Sequence, residues 1–375
     1  MLETIQKLIA DNGLVDVLQL IAGVFGAGWA AGWALRWLWN RAAVAKARER
    51  AATAKAALAE DREKLHRALT GKVLTREPND VARRLGGTLQ QGPKVVVICN
   101  LKGGVGKTTL AANFGAYLAD TNGPLKQRVL FIDLDFQGSL SATLANTINE
   151  RPRNRVVSIY EDHYQPMLAL NQAQPVTHER MQGCRFLDAD TRLAVDDERL
   201  KYRWALGEFE DDMRYRLTRF LQEPQVRSAF DAVVIDCPPR DSLLTYSAYA
   251  AATHVFVPTR LDRLSTASNT LFLASLAQEK APLWPSMRMG GFIASMTKQS
   301  TGLTEKESVH ISDTERAALD AWGEPVTFVG AHVPTKVAIA DSAGLSFAYF
   351  DANDGTDTIF SGVGEAMARR IGYVP

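Results

Sequence analysis

Cysteine is scarce: Cys99, Cys184 and Cys237 are the three in 375 residues, and they lie far apart. That excludes a disulfide framework, points to a reducing compartment, and leaves packing as the ordinary use of each thiol. Net charge is almost absent as well, since 43 basic residues meet 42 acidic ones for a formal +1. No whole-molecule field therefore drives the chain onto nucleic acid or anionic lipid, and any such attraction must be local. The six histidines show no H-E-x-x-H or paired metal spacing and no Ser-His-Asp arrangement, so neither a zinc site nor a nucleophilic triad is expected.

Charge is also missing from one particular stretch. Residues 17–35 carry none, and Gln19 is the one strongly polar side chain among them. Such a run nearly spans a bilayer core. Trp37 and Trp39 follow like an aromatic belt, Arg36 can snorkel, and Arg41, Lys46, Arg48, Arg50 and Lys55 come after the run against Lys7 before it. The expectation is one membrane span over about residues 17–39, N-terminus outside and the rest in the cytoplasm, hence a single-pass protein of the inner (cytoplasmic) membrane. Residues 1–12 suit a short interfacial helix, and Gly28 with Gly32 forms a G-x-x-x-G pair that permits close helix approach. A cleaved signal peptide fits less well, because the leading segment is not net basic and the apolar run is long. A helix buried against a partner is the other alternative.

Glycine and proline are missing from residues 41–69, where Ala, Arg, Lys and Glu make a strong helix-forming mixture. Val44, Ala51, Leu58 and Leu65 recur every seventh position, but Ala47, Ala54, Asp61 and Ala68 are weak or polar companions, so a solvated stalk is expected over a stable coiled coil. Gly86-Gly87 and Gly92-Pro93 mark the entry to a large C-terminal domain. The chain thus divides into a membrane segment (1–40), a helical stalk or linker (41–92) and that domain (93–375).

The domain is organised around residues 94–110. Val95 to Cys99 reads as a buried strand; a loop with Gly103, Gly104 and Gly106 follows; then Leu110, Phe114, Tyr117 and Leu118 fall at helical spacing. Strand, glycine loop and helix in that order make a phosphate cradle, in which backbone N–H groups and the positive helix end face the anion. Lys107 bridges terminal phosphates in such a cradle, and the Thr108 hydroxyl is placed to ligate the accompanying magnesium. The loop departs from G-x-x-x-x-G-K-[ST] at one position, Leu101 standing where the first glycine belongs, and carries Lys102 beside it.

Lys102-Gly-Gly-Val-Gly-Lys-Thr-Thr109 resembles the deviant Walker A box of the ParA/MinD ATPases, and the resemblance extends from about residue 93 to 375. It implies that the backbone of Gly103, Gly104, Val105, Gly106, Lys107, Thr108 and Thr109 binds ATP, and that Lys102 reaches the phosphates of a second copy in an ATP-bridged homodimer. Two further strands end in carboxylates: residues 129–133 before Asp133 and Asp135, and residues 232–236 at Asp236, where a carboxylate can hold the water shell of magnesium. By the resemblance, Asp133 and Asp236 join Thr108 on the Mg2+ side and Asp135 orients the attacking water. Phe136 replaces that family's usual proline and Ser139 its asparagine. Pro238 and Pro239 are expected to stiffen a second switch.

Apolar runs at 254–257, 291–294 and 326–329, separated by helical stretches, complete a doubly wound, mostly parallel α/β sheet. Arg185-Phe-Leu187 adds a strand, and Leu206, Phe209, Met213, Leu217, Phe220 and Leu221 suit one amphipathic helix ended by Pro224, with solvated charges around it. The resemblance also assigns Met296, Val333 and Pro334 to the adenine pocket. It implies slow, magnesium-dependent hydrolysis of ATP to ADP and phosphate, stimulated by an activating or cargo protein. The competing reading is a partition ATPase acting on DNA cargo, with Lys298, Arg369 and Arg370 as possible donors and the N-terminal helix binding a partner. DNA is possible but not favoured, and a membrane-linked tyrosine kinase ranks last, since Tyr373 stands alone near the end.

Overall fold

The computed structural model describes residues 43–60, 73–75, 77–80, 84–85, 92–145, 152–161, 165–352 and 355–374, with isolated positions 16, 19, 23, 36 and 41. The chain divides into two units, Met1–Ala68 and Leu69–Pro375. In the first, residues 43–60 form an exposed helix. The expected span over 17–39 falls almost entirely outside the described residues. Among those described, no helix is long and apolar enough to cross a membrane, and the helix 43–60 exposes Lys46, Arg48, Glu49, Arg50, Lys55 and Glu60, charges that hydrocarbon does not accept. The placement as a single-pass inner-membrane protein, attached through an N-terminal helix, is corrected accordingly.

The second unit is built on one eight-stranded sheet in the order β3-β4-β2-β5-β1-β6-β7-β8. The strands are β1 (Lys94–Ile98), β2 (Val129–Asp133), β3 (Gln174–Pro175), β4 (Arg185–Leu187), β5 (Ala232–Asp236), β6 (His254–Thr259), β7 (Arg288–Thr297) and β8 (Phe328–Pro334). Every pairing is parallel except β3 with β4. Parallel strands are covered on both faces, which is why β1, β2 and β5 read as unbroken apolar runs. Alternate residues serve two cores: Val95, Val97, Leu130, Ile132, Val233 and Ile235 face one, and Val96, Ile98, Phe131 and Val234 the other.

The first core is closed by α4 (Leu193–Ala205), α5 (Arg216–Gln222), α7 (Leu243–Ala251), α8 (Arg263–Leu283) and α9 (Glu305–Trp322), the second by α1 (Lys107–Ala119), α2 (Ser139–Ala145) and α11 (Thr356–Arg370). Three more short helices among the described residues are α3 (Pro166–Gln172), α6 (Pro224–Ala229) and α10 (Val337–Ser342). The register aligns Ile98 and Asp133 with Asp236. Three neighbouring strands therefore end level, and the chain leaves all of them at the same edge.

The single amphipathic helix expected across 206–221 is not formed: residues 206–212 are non-helical, and only a 3-10 turn and most of α5 lie in that stretch. Helix α4 stops at Ala205, Gly207 takes φ 81°, and a 3-10 turn at Met213–Tyr215 leads into α5. Glu208 and Glu210 are exposed, as solvated charges are, but Asp212, Arg214 and Arg216 are buried. Arg214 is fully buried on Asp212, with Nη2 donating at 2.6 Å, and Nη1 donates to the Leu74 carbonyl at 2.7 Å. Arg216 grips Asp211 and the carbonyls of Tyr160 and Glu161. Paired and hydrogen-bonded on every side, these guanidinium groups sit inside the fold without an orphaned charge.

Candidate functional site

The glycine loop departs from β1 through Asn100, which is 2% exposed. Its Nδ2 donates to the Pro258 carbonyl at 2.9 Å and to Asn269 Oδ1 at 3.2 Å, while its Oδ1 accepts from the Lys102 N–H at 2.8 Å. Gly104 and Gly106 sit at φ 67° and 84°, left-handed conformations that side chains resist. Between them Val105 is buried, and its carbonyl accepts from Ser295 Oγ at 2.8 Å, which ties the loop to β7. Helix α1 starts at Lys107, and no side chain among the described residues caps it. Its first N–H groups therefore remain available to an anion. Lys107, 6% exposed, curls over the loop with Nζ 3.2 Å from the Lys102 carbonyl.

The three carboxylates play different parts. Thr108 Oγ1 donates to Asp236 Oδ2 at 2.6 Å. Asp236 is fully buried, and its Oδ1 has no hydrogen-bond partner among the described residues. Burial, then the nearby Asp133, pushes its carboxyl well above the usual range. Asp133 is saturated: its oxygens accept from the Asp135 N–H at 3.0 Å and from Ser141 N–H and Oγ at 2.9 and 2.7 Å. Burial outweighs those bonds and raises its carboxyl to about 7. Asp135 faces a cleft and accepts from the Gln137 N–H at 3.0 Å.

That cleft has a volume of about 510 Å³ and brings together Gly103, Gly104, Gly106, Lys107, Thr108, Thr109, Asp135, Met296, Val333 and Pro334. The size suits a small-molecule ligand. Met296 holds φ 57° at the C-terminal end of β7, a strained conformation for a long side chain. Asp133 and Asp236 stand behind the lining, the latter reaching it through Thr108. Lys102 is not on the lining: its Nζ donates to Ser265 Oγ at 2.8 Å and lies 3.6 Å from Asp262 Oδ1, at the N-terminal end of α8. Of the cations considered for DNA, Arg369 pairs with Glu365 and Arg370 donates to Thr327 and Phe328.

Sequence reasoning missed Asn100, Ser295 and Asn113. The last donates to the Thr109 carbonyl at 2.8 Å and accepts from the Tyr349 N–H at 2.7 Å, joining α1 to the C-terminal region. Asn100 had one local signal, a polar residue between a buried strand and the glycine loop. The other two depend on partners about 190 and 240 positions away, which spacing does not reveal.

Residues 93–285 match the AAA_31 family model, described as an AAA domain. The chromosome partitioning protein ParA of Caulobacter vibrioides is 30% identical over 217 residues, covering 57% of this chain and 73% of that protein. The chain belongs to the ParA/MinD family of P-loop ATPases. The chromosome-partitioning ATPase Soj of Treponema pallidum is 27% identical over 266 residues, covering 69% of this chain and 90% of that protein. An ATP complex of a McdA variant from Cyanothece shares the fold, with TM-score 0.58 and 18% identity over 76% of this chain and 98% of that one. The family match takes in the glycine loop and all three carboxylates, while Met296, Val333 and Pro334 lie beyond it. In this ParA/MinD-family chain the glycine-loop end of the cleft thus lies within the family match, and the end formed by Met296, Val333 and Pro334 is defined by geometry alone.

Proposed function

We propose that the protein is a nucleotide-dependent dimer switch that positions or regulates a partner protein or cargo, as the names of ParA and Soj suggest for those relatives. The observation that carries the nucleotide part of this reading is the buried Asp236 oxygen without a hydrogen-bond partner among the described residues, beside the Thr108 hydroxyl at the mouth of an anion cradle; the dimer and the partner follow from the likeness to those relatives. A cation-free site has no use for an orphaned carboxylate oxygen at 0% exposure. Thr108 and Asp236 fit magnesium, which binds through few protein groups and keeps several waters. Bound there with ATP, the ion supplies neutralisation of phosphate charge.

The chain's own residues do the rest. Backbone N–H groups of residues 103–109 hold the phosphates, Lys107 neutralises charge on the terminal one, and Asp135 orients water against it. Asp133 serves by positioning, since its oxygens are committed to the Asp135 N–H and to Ser141. Met296, Val333 and Pro334 form an apolar end for the base. Lys102 leaves Ser265 and Asp262 to reach the nucleotide of a second copy, so ATP is both substrate and dimer bridge. Because phosphoryl transfer is mostly positioning and electrostatics, turnover is slow until a partner completes the site.

The test is the mass of the full chain by light scattering, with and without ATP and magnesium, beside the hydrolysis rate. The expected result is a dimer with ATP and magnesium, a monomer without, and hydrolysis abolished in Lys107→Ala. A monomer under both conditions with Lys107→Ala hydrolysing at the parental rate overturns the reading.

A further inference from the structure

We infer that Arg240 and Phe136 are positioning residues for hydrolysis: the Arg240 guanidinium, anchored on Asp197, clamps the turn that carries Asp135. The inference rests on the role proposed for Asp135. Residues 135–138 form a β-turn closed by the Gly138 N–H on the Asp135 carbonyl at 2.9 Å. Phe136 occupies the second position of that turn, the one where proline is favoured because its ring fixes φ in advance. Proline is also what the resembling ParA sequences carry there. Phenylalanine gives up that restraint, so the turn must be held by something outside itself.

The structure provides the substitute. The Arg240 guanidinium lies 5.4 Å from the centre of the Phe136 ring, within cation–π range. Its Nη2 donates to Asp197 Oδ2 at 3.3 Å. Asp197 is 1% exposed, and its other oxygen accepts from the Leu244 N–H at 3.1 Å. The carboxylate is thus a fixed post set between α4 and the start of α7. Arg240 belongs to the loop after β5, two residues past Pro238 and four past Asp236. One side chain therefore couples the magnesium-side loop, the water-side turn and α4. The opposite end of the turn is blocked independently: a Cβ at Gly138, which sits at φ 65°, would come within 2.7 Å of the Ala189 carbonyl. With Gly138 pinned and Phe136 stacked, Asp135 between strand and turn has little freedom left.

The proposal predicts a rescue that a merely structural role does not produce. Phe136 makes no backbone N–H hydrogen bond among the described residues, so proline at this position sacrifices none. Arg240→Ala is expected to lower kcat for ATP about two- to thirtyfold, the range a cation–π contact of ordinary strength allows, with KM for ATP within about twofold of the parent. Phe136→Ala is expected to do the same, and the double variant no more than either alone. In Phe136→Pro the restraint returns to the backbone, so adding Arg240→Ala to it should leave kcat within about twofold. Steady-state hydrolysis by the full-length variants, with Asp135→Ala alongside, reads all of this. If Asp135→Ala is inactive and Arg240→Ala keeps the parental kcat, the clamp is overturned. It is overturned equally if Arg240→Ala loses as much in the Phe136→Pro background as in the parent. If Asp135→Ala hydrolyses normally, it is the role of Asp135 in the proposed function that fails, and the clamp with it.

Discussion

Asp236 is a residue at which the proposed function and the stability of the fold conflict. Without its ligand the fold must bury a carboxyl whose ionised form has one partner, the Thr108 hydroxyl, and a second oxygen with none among the described residues. Asparagine keeps an oxygen for Thr108 and removes the ionisable group. Asp236→Asn is therefore expected to abolish magnesium-stimulated hydrolysis, at least about tenfold, while the ligand-free protein melts at the parental temperature or above it, the usual exchange at functional sites. Calorimetry without nucleotide checks this; a melting temperature several degrees lower would contradict it. The pairing of Thr108 with Asp236 joins two positions that the sequence marks locally, a hydroxyl after Lys107 and a carboxylate ending an apolar strand, and the magnesium role proposed for them starts from those marks. What could not be read is how differently the three carboxylates are paired. Ser141 saturates Asp133 by folding back from α2, an event of tertiary structure that no spacing encodes.

Among the elements, the contact of α1 with β2 is set by a glycine. A Cβ at Gly115 would fall inside the Phe131 ring, whose Cε1 and Cζ it would meet below any real contact distance. Phe131 is fully buried in the core beneath α1. Neither partner can yield without moving the helix that begins with Lys107. Gly115→Ala is expected to cost about 1–3 kcal/mol by overpacking, measured as a lower urea midpoint, and to weaken nucleotide binding through the displaced helix. An unchanged midpoint would mean that α1 does not rest on β2 as described. The helix itself was legible from Leu110, Phe114, Tyr117 and Leu118, because apolar spacing reports which face is buried. Spacing reports nothing about closeness, so Gly115 passed unnoticed. The failure across 206–221 has the same root: periodicity accounts for apolar side chains and takes Arg214 and Arg216 for surface, whereas Asp212, Asp211 and three main-chain carbonyls let both go inside.

For the molecule as a whole, the formal charge of +1 says little about pH response, because buried titrating groups pull stability in opposite directions. Burial raises Asp133 to about 7 and Asp197 to about 6. A raised carboxyl stabilises the fold below the unfolded value near 4, and that contribution is lost as pH rises through the folded pKa. His254 opposes them. It opens β6, an interior strand, at the N-terminal end of the strands, with Nδ1 3.1 Å from Thr253 Oγ1. Burial first, then Lys94 and Arg288, lowers it to about 4. Its folded pKa lies below the unfolded value of about 6.5. The neutral ring therefore gives its full contribution above pH 6.5, and this is lost as pH falls toward 4. His254→Gln removes that term and leaves the carboxyls alone. The difference in unfolding free energy between parent and variant should shrink or reverse by on the order of 2 kcal/mol between pH 7 and pH 4.5. Urea titrations of both proteins across that interval would show it. Parallel curves would mean that His254 takes up its proton in the folded protein as freely as in the unfolded chain, and that the acid limb belongs to the carboxylates.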